Sequence, residues 1–106
     1  MFVQVDLSTT PPVVTLEEPD DTARFHVLVR GGTDPAMVYG ALVDAAAGRL
    51  EGDDAWIAVD AVRRMAGGGV AAGWDADLGA MLDFARGKGW LDDAGHAIRA
   101  HVEWSE

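Results

Sequence analysis

The residues predict an α+β fold, and three observations carry that prediction. Trp74, Leu78, Met81, Leu82 and Ala85 recur at helical spacing and place one apolar stripe on a helix of about three to four turns. Ile98, Ala100, Val102 and Trp104 then alternate with Arg99, His101 and Glu103, the period of a strand with one dry face. Earlier in the chain Phe25, Val27 and Val29 alternate with Arg24, His26, Leu28 and Arg30, which marks a second half-buried strand.

Taken in order, Phe2 to Leu7 sets Val3, Val5 and Leu7 against Phe2, Gln4 and Asp6 and reads as a strand. Pro11 and Pro12 break it, because proline donates nothing to a ladder. Val13 to Leu16 is a second short strand or a linker, and Glu17 to Asp21 is a charged loop. Residues 1–22 thus form an N-terminal strand and acidic loop, open to being an arm, ahead of a single domain over 23–106. The strand over Ala23 to Arg30 ends at Gly31-Gly32. Asp34 then caps a helix with Pro35 at its first position, where the missing amide costs nothing. Met37, Val38, Ala41, Leu42 and Ala45 form its buried face, Gly48 ends it or sits in its last turn, and Glu51 to Asp54 is loop. Trp56 to Val59 suits a short strand followed by a helix capped by Asp60 and running to Ala66; one continuous helix from Asp54 competes with that reading. Gly67-Gly68-Gly69 forms a turn or hinge into the helix that begins at Trp74. Asp75 and Asp77 sit in its first turn, Arg86 and Lys88 in its last, and Gly87 or Gly89 stops it. Asp92-Asp93-Ala94-Gly95 is the turn of a closing hairpin.

From Asp34 onward, the order helix, short strand, short helix, long helix, hairpin resembles a winged-helix domain: three helices with a small antiparallel sheet, the C-terminal hairpin being the wing. The resemblance implies a transcriptional regulator whose long helix enters the major groove, bringing Asp75, Asp77, Arg86 and Lys88 to the DNA. Aspartates at the entering end have the wrong sign for phosphate. The alternative is a two-layer α/β sandwich, with helices on one face of a mostly antiparallel sheet built from the strands at Phe2, Ala23, Trp56 and Ile98.

Bulk composition narrows the function classes. With 106 residues, of which 49% are apolar, the chain has the size and content of one folded domain. It contains no cysteine, which excludes disulfides and thiolate metal sites and fits a cytoplasmic location. Neither a signal segment nor an apolar run long enough for a membrane is evident. Eighteen acids against eight bases give a net charge of −10. Seven of those acids fall in residues 1–50 and eleven in 51–106, so the acidity is not confined to a tail. A field of that sign repels nucleic acid and anionic lipid.

No motif for catalysis is present. His26, His96 and His101 lack the helical spacing of a zinc protease, no hydroxyl sits in a glycine-flanked elbow, and Gly67-Gly68-Gly69 lacks the lysine of a phosphate loop. No catalytic residue, cofactor or metal is assigned. If the strands of His26 and His101 are neighbours, both histidines lie on the wet face near Glu103. Four tryptophans exceed the usual need of so small a core. Trp74 and Trp90 read as core corners, whereas Trp104, with Leu28, reads as an interface anchor. The expectation is a small acidic protein-protein interaction or accessory domain, working as a homodimer or with a protein partner. Besides the winged-helix regulator, the alternative is a small-molecule-binding protein or small enzyme with a pocket between the long helix and the sheet, using His26, Tyr39, Arg99 and His101.

Overall fold

Alternation in the strands and stripes on the helices are both satisfied by one mixed sheet with its helices on one side. The computed structural model describes residues 1–105. In chain order its elements are β1 (Phe2–Asp6), β2 (Val13–Glu17), β3 (His26–Arg30), α1 (Pro35–Asp44), β4 (Gly48–Glu51), β5 (Asp54–Ala58), α2 (Val59–Ala66), α3 (Trp74–Lys88) and β6 (Ala97–Ser105). The six strands form a curled sheet in the order β2-β1-β3-β6-β5-β4. At its centre β1, β3 and β6 run parallel, and the flanking pairs β1/β2, β5/β6 and β4/β5 are antiparallel.

Register explains the core. Val3 pairs with Val27 and Val27 with Val102, while Ala55 faces Ala100 and Ile57 faces Ile98, so one side of the sheet is a continuous apolar surface. Val38, Ala41 and Leu42 of α1, Ala61 and Val62 of α2, and Trp74, Leu78 and Ala85 of α3 are buried in the same cluster. Among the described residues no polar or charged side chain is buried. The core is therefore held by apolar burial and packing.

The winged-helix arrangement is overturned by the position of β6. This strand is no wing tip: β3 occupies one of its edges and β5 the other. The closing hairpin shrinks to one bridge between Leu91 and Ile98, reinforced where the Arg99 amide donates to the Trp90 carbonyl at 2.6 Å and the Asp92 amide to the Ala97 carbonyl at 2.9 Å. A strand with one dry face needs only a partner on each edge, and here the partners come from distant parts of the chain. The sandwich alternative also needs revision, since the sheet has six strands and a parallel centre. β1 does not extend away as an arm: it lies inside the sheet with Val3 and Val5 fully buried.

Several local features also differ from expectation. Gly48 begins a strand, β4, where the residue pattern predicts a helix end and a loop. Its φ is 153°, and a Cβ there would collide with the Trp56 carbonyl oxygen, so only glycine lets β4 approach β5 this closely. Asp60 sits inside the first turn of α2, whose cap is Ala58. Met37 points outward from α1. Asp34 does cap α1: its side chain accepts from the Ala36 amide at 3.0 Å.

Candidate functional site

Because no polar side chain is buried among the described residues, the chemistry of this chain lies at its surface depressions and on the sheet face away from the helices. On that face the pairing aligns Phe2, His26, His101 and Asp54 in a row across four strands. Phe2 stacks on His26 with ring centroids 5.0 Å apart, and His26 Nε2 lies 3.6 Å from the Glu103 carboxylate. Two residues along β6, Arg99 directs Nε and Nη2 at one oxygen of Asp54, at 2.8 and 2.6 Å. The other Asp54 oxygen is 3.6 Å from His101 Nδ1. Asp54 therefore fixes the guanidinium and stands beside the imidazole.

A groove of about 420 Å³ opens beside this network, lined by Phe25, Asp54, Trp90, Arg99 and His101. It adjoins a narrower cleft of about 80 Å³ between α3 and the sheet, and the two share Phe25, Trp90 and Arg99. Met81, Phe84 and Ala85 of α3 form one wall of the cleft, and Ala23, Arg24, Phe25 and Ile98 line it from the sheet side. A third depression, of about 390 Å³ with Asp77 in its lining, lies beyond Phe84.

The end of α3 builds the aromatic wall. Gly89 takes the left-handed conformation at φ 77°, its amide reaches the Arg86 carbonyl at 3.2 Å, and the Trp90 amide reaches the Ala85 carbonyl at 2.9 Å. This paired-bond helix ending is usually accompanied by an apolar contact from the residue after the glycine back to the last turn. Here that contact is the edge-on packing of Trp90 against Phe84 at 6.0 Å between centroids. Both rings nevertheless stay exposed, 44% for Trp90 and 60% for Phe84. Lys88 Nζ sits 5.5 Å from the Phe84 ring, within cation–π range.

The residues singled out in the sequence separate into distinct places. His26, Arg99 and His101 meet on the open sheet face, and Arg99 and His101 line the groove. Tyr39 lies on the outer surface of α1, in the helical layer, and does not join them. Leu28 is half-buried on the open face opposite Glu103, whereas Trp104 pairs with Val29 on the helix-covered face, 40% exposed. The pair Leu28 and Trp104 therefore does not form one patch. Trp74 is buried and its indole donates to the Pro19 carbonyl at 2.6 Å, but Trp90 is not the core corner expected.

Phe25, Asp54, Phe84 and Trp90 do not announce themselves as site residues in the sequence. The available signal is Phe84, a large aromatic lying off the apolar stripe of its helix. Among the described residues no group of three histidine or carboxylate side chains has the geometry to hold a metal ion. No described helix is long and apolar enough to cross a membrane. Comparison with known proteins finds no matching family model, no matching curated protein and no matching solved structure.

Proposed function

We propose that this chain binds a small, partly apolar ligand in the cleft between α3 and the sheet, with the ligand's hydrogen-bonding end at Arg99, which the cleft shares with the polar groove beside it. The observation that carries the reading is the continuity of the two depressions across Phe25, Trp90 and Arg99. Ligand sites pair apolar walls with a few fixed polar groups, and this one sets aromatic rings beside a guanidinium already oriented by Asp54. Nothing in the arrangement calls for covalent chemistry, so the reading is of a binding protein.

The test is a fragment screen monitored by amide and indole NMR shifts of the labelled full chain. Fragments that bind are expected to move Phe25, Phe84, Trp90 and Arg99 together, and Phe84→Ala is expected to weaken them about tenfold, in keeping with loss of an aromatic wall. Shifts that cluster elsewhere, or a library that leaves these residues still, would dispose of the proposal.

A second reading, an interaction domain that dimerises or serves as an accessory subunit, draws support from α1. Met37, Tyr39 and Val43 are 46%, 49% and 50% exposed on that helix. Exposed apolar area of this kind is common at contact surfaces. Light scattering across a concentration series tests it: a chain that stays monomeric at the highest concentration, in wild type and in Tyr39→Ser alike, speaks against self-association.

A further inference from the structure

Building on the proposed binding function, we infer that the ligand is a small organic monocarboxylate with an aryl or short acyl body, its carboxylate held by the guanidiniums of Arg24 and Arg99. In a chain with eighteen acids and eight bases, the cleft carries two arginines and no carboxylate in its lining. Its remaining lining is apolar, chiefly Phe25, Met81, Phe84 and Trp90. Arg24 is exposed and has no carboxylate within ion-pair distance among the described residues. Arg99 directs Nε and Nη2 to Asp54, and its Nη1 has no hydrogen-bond partner among the described residues.

A guanidinium held by a neighbouring carboxylate loses little freedom when it takes up a second anion, which favours a fixed acceptor over a mobile one. The Arg99–Asp54 pair is close to neutral as a unit, so Arg99 offers the ligand's head oriented N–H donors while Arg24 supplies the uncompensated positive charge. The apolar walls decide what lies behind the head. Inorganic phosphate would leave Met81, Phe84 and Ile98 uncovered, whereas a ring or short chain buries them. A peptide backbone would need a free ladder edge, and at Ile98 both edges of β6 are taken, by Ile57 of β5 and by Leu91.

The experiment titrates the full chain with phenylacetate, its neutral isostere phenylacetamide, the cation phenethylamine and inorganic phosphate, following indole and amide NMR shifts. Phenylacetate is expected to bind about tenfold more tightly than the amide and to shift Trp90, as charge-assisted hydrogen bonds require. That preference should shrink as salt is added and in Arg24→Gln, which leaves the Arg99 to Asp54 pair intact, and vanish in Arg24→Gln with Arg99→Gln. Equal binding of acid and amide at Phe84 and Trp90 overturns the carboxylate assignment while leaving the cleft as a ligand site. Phosphate binding as tightly as phenylacetate, or an acetylated Phe-Glu peptide binding more tightly still, also overturns it, the latter in favour of a protein partner. If neither these probes nor any screened fragment moves the cleft residues, this inference and the proposed binding function fall together.

Discussion

Asp92 shows how much one side chain can organise here. Its Oδ1 accepts from the amides of His96 at 2.7 Å and Ala97 at 3.2 Å, and its carbonyl accepts from Gly95 at 3.0 Å, which closes the turn leading into β6. Loss of surrounding water pushes the carboxyl up, but the amide bonds from Ala97 and His96, with the nearby His96 ring, outweigh that and hold it below its ordinary 3.8. A carboxyl lowered in the folded state contributes stability above its unfolded value and loses it as pH falls through the lower folded value. Asp92→Asn, which keeps an acceptor oxygen, is therefore expected to flatten the fall in stability below pH 3.8. Urea unfolding at stepped pH measures it, and a slope identical to wild type would remove Asp92 from the acid response. At this scale the sequence is readable wherever a side chain serves its own neighbourhood. Asp34 and the Asp92 to Gly95 turn are such cases, with bonding partners two to five residues away. Asp54 is not, because its partners Arg99 and His101 belong to another strand.

Among the elements, α3 is the most legible. Its start at Trp74, its acidic first turn and its basic last turn are all where periodicity and end signals put them, and Gly89 stops it. At Gly89 the ending of α3 can be probed without a steric clash, since no atom lies within 4 Å of an added Cβ and the only cost is backbone conformation. Gly89→Ala is expected to destabilise by about 1 kcal/mol and to loosen the Trp90 ring from Phe84. Thermal unfolding together with the Trp90 indole resonance reports both effects; an unaltered midpoint would mean that the left-handed ending is not what holds the aromatic wall. β4 is illegible because four residues, Gly-Arg-Leu-Glu, carry too little alternation to announce a strand. β6 is legible as a strand but not as a central one. Its alternation reports one dry face and says nothing about how many neighbours pair along its edges.

For the molecule as a whole, the excess of acid acts on stability from outside the core. A net −10 on 106 residues opposes the compact state through self-repulsion, which mobile ions screen within a distance of about 10 Å at 0.1 M salt. Raising sodium chloride from about 0.01 M to about 0.5 M, a range across which that screening distance falls several-fold, is expected to raise the melting temperature. Calorimetry checks this, and a midpoint that falls with salt would show that the ion pairs matter more than the repulsion. Overall topology is the least accessible part of the sequence. The elements are largely recognisable, but two parallel pairings join strands far apart in the chain, and the candidate cleft draws on residues near 24, near 84 and near 98. The order of β6 in the chain and its place in the sheet differ: it comes last of the six strands yet stands between β3 and β5, so any stretch of the chain that stops short of it leaves both of those strands with an unpaired inner edge.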